Sequence, residues 1–253
     1  PPRSTLFPYT TLFRSAEGRI PLTDITLALH WDSHAALMFA LWLVAVPVAV
    51  MVLRYGKIAP GPWGIPRGTS KWTRPELCWT LHKRLLYAVI ALSLGGAAVP
   101  MILTGGFSGS LHAWFGLATL GLGLGQGLSA WFRGSHGGCK DPAADPADRS
   151  TWGGDHFDMT PRRWWFEAWH KTAGYFTIFC AGVAVASGLS KFWIGWIAAT
   201  FGAIVFGGLV LAVVLQGLGL NRDTYMSVYG THPRNPFNRR RFAALFEDSD
   251  KTP

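Results

Sequence analysis

Cysteine is scarce in this chain: three residues in 253, Cys78, Cys139 and Cys180. No CxxC or CxxCH spacing occurs, which argues against a disulfide scaffold and against covalent c-type attachment of a prosthetic group. Charge is scarce too. Charged residues make up 15% of the chain, where a soluble domain carries about a quarter. Acidic residues are the rarer sign, 14 against 23 Lys and Arg, for a formal net charge of +9. The basic residues fall between apolar blocks and no nucleic-acid-binding motif accompanies them, so no nucleic-acid partner is expected. Short alternating segments of the kind a membrane β-barrel needs are absent. Zinc spacing and a calcium-loop pattern are absent as well, which leaves His136, Cys139 and the aspartates around them without a metal signature.

What the chain does have is apolar length. Hydrophobic residues make up 49%, clumped into five blocks: His34–Leu53, Leu85–Leu103, Leu111–Phe132, Thr172–Leu189 and Phe192–Leu215. Each is long enough, at about 1.5 Å per residue, to cross a hydrocarbon core of about 30 Å as a helix. The expectation is an all-α integral membrane protein with five transmembrane helices. Start signals support it. Thr73-Arg74-Pro75-Glu76 reads as a capping box, Thr160-Pro161 as an N-cap followed by proline, and Ser108 or Ser110 as a cap for the third helix. Asp24 or Asp32 is the expected start of the first.

The domain plan follows. Ser4–Ser15, STLFPYTTLFRS, resembles the translation of a sequencing-adapter oligonucleotide. Residues 1–15 are therefore read as an artefact and set aside. Residues 16–33 are a lead-in, 34–216 the membrane domain and 217–253 a polar tail with an Arg239-Arg240-Arg241 run. The Gly134–Thr160 connection is polar and acidic and reads as an exposed loop, and Ser190–Lys191 reads as a tight turn. With five helices alternating in direction, loop one, loop three and the tail share a face. With the adjoining helix ends they carry nineteen Lys and Arg, against four on the opposite face. That asymmetry puts residues 55–81, 134–167 and the tail in the cytoplasm, in a chain expected in the cell inner membrane.

Four histidines mark the helix starts: His34, His82, His112 and His170. One histidine near a helix end is ordinarily an interfacial polar residue. Four on consecutive antiparallel helices sort into two levels, His34 with His112 on the outer side and His82 with His170 on the cytoplasmic side. Ionisable residues in a membrane span require a reason. Two facing imidazoles at one depth are the bis-histidine arrangement that holds a six-coordinate b-type haem in a helix bundle. Two such sites would lie on the order of 20 Å apart. Gly116, Gly121, Gly123, Gly125 and Gly127 in the third block fit close helix packing, room for a flat macrocycle, or both.

The residues around these histidines resemble the four-histidine core of the cytochrome b561 family. The resemblance rests on His34-Ala-Ala-Leu-Met38 with Trp42, Pro47 and Arg54-Tyr55, then on Trp79-Thr-Leu-His82. It continues through His112-Ala-Trp-Phe-Gly116 with Gln126 and Arg133, and through Trp165, His170, Gly174-Tyr175 and Gly188-Leu189. Ala35 stands where the family usually has glycine. The resemblance covers about Ser33–Leu189. It implies two non-covalent b haems in the first four helices and transmembrane electron transfer. The donor would be a small molecule or protein on the cytoplasmic side, and the acceptor would lie on the outer face.

Other residues are weighed beside these. His30, one turn outward from His34, reads as a solvent-side or substrate-contacting residue. Met38 reads as packing. Lys83, Arg84, Arg162 and Arg163 read as headgroup anchors, or as partners for haem propionates or an anionic donor. Trp63, Trp72, Trp164, Trp165, Trp193 and Trp196 read as an interfacial aromatic belt. The rival readings are a quinol- or superoxide-coupled haem b oxidoreductase and, from another class, a haem-free transporter or scaffold. Histidines near the faces rather than at midplane breaks argue against transport. Membrane lipid is the expected surrounding, and a homodimer stays open.

Overall fold

The computed structural model describes residues 15–20, 22–57, 59, 61–64, 74–138, 141–145, 148–158, 160–190, 195–222 and 224–232. The leader before Ser15, the Thr73 cap, Cys139, Lys191 of the expected turn, and the Arg239–Arg241 run lie outside them. The protein is mostly helical. A hairpin of β1 (Ser15–Arg19) and β2 (Thr26–His30) comes first. Then follow α1 (Trp31–Tyr55), α2 (Arg74–Leu103), α3 (Leu111–Ser129), α4 (Asp155–Asp158), α5 (Pro161–Leu189), α6 (Gly195–Gly217) and α7 (Thr224–Tyr229).

Four of these helices are long and apolar enough to cross a membrane: α1, α2, α5 and α6, the last over Ala198–Gly217. Helix α3 forms over 19 residues but falls short of them in hydropathy. Its glycines, His112 and Gln126 take the place of aliphatic side chains.

Helix starts follow local chemistry. The Ser110 hydroxyl accepts the Ala113 N–H at 3.3 Å and the Thr160 hydroxyl accepts the Arg163 N–H at 3.3 Å, both as N-caps. The first helix departs from expectation. Its N-cap is His30, with no side-chain cap. Asp32 lies inside the first turn, where a carboxylate suits the helix dipole. Asp24 belongs to the hairpin turn and pairs with Arg19. The hairpin draws its first residue, Ser15, from the segment the sequence reading set aside.

Proline shapes α1 and α2. Pro47 has no N–H for the carbonyl four residues back, and its ring crowds that carbonyl. A wider π turn over Ala40–Ala45 precedes it, and Val46 N–H reaches the Leu41 carbonyl. Pro100 sits inside α2 and leaves the carbonyl of Gly96 without its helical donor.

The chain divides into two compact units. The first comprises residues 1–47, 85–124 and 175–207. Its core holds Leu41, Trp42, Val46, Val89, Ser93, Thr119 and Cys180. Within it the Trp42 indole N–H donates to the Ser93 hydroxyl at 2.9 Å, both groups buried. Gly123 lets the indole in: a Cβ there would lie 3.1 Å from the ring. Replacing Trp42 with Phe should cost about 1–3 kcal/mol, because Ser93 loses its donor and a gap opens. Thermal unfolding in detergent reads this directly, and an unchanged melting temperature would contradict the packing described.

The second unit comprises residues 48–84, 125–174 and 208–253. Here the structure corrects the exposed-loop expectation for 134–160. Ala144, Trp152 and His156 are buried, together with Val228 and Tyr229 of α7. The Tyr229 hydroxyl donates to the carbonyls of His136 and Gly137. The aspartates are spent on turns: Asp141 accepts from Ala143 N–H and Asp148 from Ser150 N–H. Loop one joins the same assembly. Lys57 donates to the Arg222 carbonyl at 2.9 Å and to Thr224 at 2.7 Å, and the Trp63 ring stacks on His232 at 4.9 Å. Gly64, at φ +74°, takes the backbone of 228–230 so closely that a Cβ would collide with it.

Candidate functional site

Each unit contains one of the expected histidine pairs. In the first, His34 on α1 and His112 on α3 have ring centres 6.1 Å apart and planes at 79°. In the second, His82 on α2 and His170 on α5 have ring centres 6.3 Å apart and planes at 71°. Two imidazoles bound on opposite sides of one metal ion, each nitrogen about 2.0 Å from it, have ring centres about 6 Å apart. Both pairs have that separation.

Tautomers follow from the hydrogen bonds. The Nδ1–H of His34 donates to the Gly96 carbonyl at 2.9 Å, and that of His112 to the Ala184 carbonyl at 2.8 Å. In the second unit His82 Nδ1–H donates to the Ala49 carbonyl at 3.1 Å. A carbonyl only accepts, so Nδ1 carries a proton, and in the neutral imidazole the Nε2 lone pair is left for a ligand. The same bond fixes the ring's orientation and raises its basicity, as is general for metal-bound histidine. His170 differs. Its Nδ1 is buried with no hydrogen-bond partner among the described residues, and its ring stacks on Phe166 at 5.2 Å and 21°.

Local sequence explains why these carbonyls are reachable. Pro100 frees the Gly96 carbonyl, and Gly188 clears the approach to Ala184. A Cβ on Gly188 would lie 2.9 Å from His112 Nδ1. Met38 packs over Gly96, as a packing role predicts. A Cβ on Gly125 would meet the Trp169 ring at 3.4 Å. Gly116 and Gly174, each four residues after a histidine of a pair, have open space where a Cβ would go.

The remaining expected residues are spread more widely. His30 is exposed, 3.5 Å from the Asp32 carboxylate. Lys83 and Arg84 are exposed on α2 directly after His82. Arg162 pairs with Asp155. Arg163 is buried rather than presented to headgroups. It donates to Glu167 and to the Arg133 carbonyl, both at 3.0 Å, and lies over the Phe166 ring.

Sequence reasoning missed the carbonyl partners, the Phe166 stack and a second histidine cluster. Pro100, inside an apolar run, is the signal that marks Gly96. The cluster joins His136 and His156, ring centres 5.1 Å apart, with Glu167 3.2 Å from His156 Nδ1. Among the described residues no group of three or more side chains has the arrangement of a metal site. His136 is held neutral. Burial first, then repulsion from His156, Arg133 and Arg163, pushes its imidazole down from 6.5 to about 3. Below the ordinary value the unfolded loop binds a proton that the folded loop refuses. Its stability is therefore full above 6.5 and falls as pH drops toward about 3. Hydrogen exchange of the loop, corrected for intrinsic rates, should lose protection between about pH 7.5 and about pH 5, and His136→Gln should flatten that loss. Equal protection at both values would contradict it.

No family model, curated protein or solved structure matches the chain.

Proposed function

We propose that this chain is a membrane electron-transfer protein of the cytochrome b561 type. In this reading five helices span the membrane, with α3 as the span of lower hydropathy. His34 with His112, and His82 with His170, each hold one non-covalent b-type haem. The supporting observation is the pairing itself. Two imidazole pairs stand at the separation one shared metal ion requires, and three of the four rings are held through Nδ1 to a backbone carbonyl, so that the neutral ring turns its Nε2 lone pair to a ligand. Haem bound in this way supplies a one-electron carrier in the membrane.

The chain's own residues do the rest. Carbonyls of Gly96, Ala49 and Ala184 orient three ligands and strengthen them as donors. Buried Trp42, Val89 and Cys180 keep water from the helix interior of the first unit. Open space beside Gly116 and Gly174 admits a flat ring without a Cβ in the way. The Lys and Arg asymmetry assigns His82 and His170 to the cytoplasmic side, where a donor would deliver electrons, and His34 and His112 to the outer side.

Vesicles of known orientation test the direction. With ferricyanide trapped inside and either ascorbate or a quinol supplied at the cytoplasmic face, haem-loaded vesicles should reduce the trapped acceptor and haem-free ones should not. Loaded vesicles that pass no electrons from any donor would contradict the reading. The identity of the active donor separates an ascorbate-linked from a quinol-linked protein.

A further inference from the structure

The ring bonds of the four histidines form a pattern with one member missing. Helices α1 and α2 exchange bonds: His34 on α1 donates to Gly96 on α2, and His82 on α2 donates to Ala49 on α1. Helix α5 receives one from α3, His112 donating to Ala184. The return bond, from His170 on α5 to α3, is not made: His170 Nδ1 is buried without a hydrogen-bond partner among the described residues. On α3, in the same unit, the Oε1 and Nε2 of Gln126 are buried in the same condition.

Helix register sets these two groups against each other. Within the second unit Arg163 donates to the Arg133 carbonyl, and the Trp169 indole N–H donates to the Ser129 hydroxyl at 3.2 Å. Partners move backward along α3 as they move forward along α5, so the two helices are antiparallel there. Gly125 and Ser129 both face Trp169. The residues that follow are Gln126 and His170. Each lies about 100° further round its helix, and in antiparallel neighbours those turns carry both to the same side of the contact. Counting along the helices agrees. Gln126 stands fourteen residues after His112, and His170 fourteen before Ala184. The carbonyl of residue 126 is therefore the one that would complete the pattern. At Ala184 the carbonyl accepts the Ser187 hydroxyl as well as His112, and Gly188, one turn on, leaves room for the ring. At Gln126 the carbonyl likewise accepts the Ser129 hydroxyl, at 3.1 Å. One turn on stands Ala130 instead of glycine, opening a tighter 3-10 turn over Ala130–Phe132. By the same register its Cβ takes the place that Gly188 keeps clear beside His112. That leaves His170 the carboxamide of residue 126 rather than its carbonyl.

We propose that Gln126 is the positioning residue of His170: its Oε1 accepts the His170 Nδ1–H, directly or through one water, as the carbonyls of Gly96, Ala49 and Ala184 do for the other three rings. This rests on the two-haem reading above. The side-chain torsions of glutamine give the carboxamide the reach, and a bridging water serves nearly as well as a direct bond. A carboxamide oxygen only accepts, so the bonded Nδ1 carries a proton and the neutral ring turns Nε2 to the iron. The bond satisfies a buried donor and a buried acceptor at once, each costly when left alone. It also fixes the ring's orientation and raises its strength as a ligand. Gln126 acts through His170 and is not itself a ligand.

The experiment compares Gln126→Leu and Gln126→Glu with the unaltered full-length, haem-loaded protein in detergent. Leucine fills the space without an acceptor; glutamate keeps an acceptor oxygen. Were Gln126 a buried amide with no partner, leucine would be neutral or stabilising. The proposal requires the opposite. Gln126→Leu should hold the haem at His82/His170 about 10–100-fold more weakly, and Gln126→Glu should hold it close to the original. The His34/His112 haem should be retained equally in all three. Where leucine does not fold, Gln126→Ala takes its place with the same expected loss. The second readout is the low-spin EPR signal of each oxidised haem, which reports how the two imidazole planes lie. The signal that disappears in His170→Ala should shift in Gln126→Leu loaded with excess haem, and the other should stay. Unchanged retention and signals in Gln126→Leu, equal losses at both sites in a folded variant, or a Glu variant that falls as far as the Leu variant overturns the proposal. Two tightly held haems in Gln126→Leu end only this inference; an unaltered chain that takes up no haem ends the functional reading with it.

Discussion

Changing His170 to alanine is expected to empty the His82/His170 site and leave the His34/His112 site loaded, halving the haem per chain. His82 would keep its orienting bond to the Ala49 carbonyl, so the ring itself is not disturbed. What is lost is the second axial nitrogen, and one imidazole cannot hold a six-coordinate iron. His170 is also the proposed ligand with the least support. Its Nδ1 has no hydrogen-bond partner among the described residues, and its position depends on Phe166. His82→Ala should give the same spectrum as His170→Ala, and His34→Ala should match His112→Ala. Haem quantification together with difference spectra checks the pattern. If His170→Ala matched His34→Ala instead, the pairing would be wrong.

The second large effect comes from a residue that is not itself one of the four histidines. Gly188→Val should weaken or abolish haem binding at His34/His112 while leaving the His82/His170 site intact. A Cβ at 188 would stand 2.9 Å from His112 Nδ1 and 3.1 Å from its Cε1, closer than van der Waals contact permits. The helix backbone is fixed, so the ring is the part that moves. Moving it breaks the 2.8 Å bond to Ala184, which releases the tautomer and the orientation together. Loss of a supporting partner of this kind costs roughly 10–100-fold in metal affinity, and steric displacement adds to it. Haem retention during dilution reads the effect. Full retention of both haems in Gly188→Val would mean that His112 does not depend on this approach.

These two predictions also show where the sequence was informative. Membrane helices are legible because apolar length is a local property. Ser110 and Thr160 are legible as caps for the same reason. The histidine pairs follow from alternation of helix direction, which needs no knowledge of contacts. The carbonyls of Gly96, Ala49 and Ala184 are not legible, since every helical residue carries the same group. Only Pro100 leaves a mark, by removing the donor that would occupy Gly96. The π turn before Pro47 likewise needs the proline to be placed in a continuing helix.

Loop three was misread for a different reason. Its aspartates and glycines look solvated one by one, yet Trp152, Ala144 and His156 are buried in the same unit as Tyr229, far along the chain. Such a contact has no local signature. Leu111–Ser129 carries the opposite lesson. Its glycines lower its hydropathy below that of the other long helices. One of them, Gly123, makes the close approach to Trp42 that a larger side chain would block.

The central claim is that four named histidines hold two haems. It is tested most directly by the ratio of haem to polypeptide in the purified full-length protein, with the optical spectrum recorded oxidised and reduced. The account predicts two acid-extractable b-type haems per chain, with the sharp reduced bands of six-coordinate bis-histidine iron. Protein that purifies folded but without haem, or with a covalently attached one, would contradict it.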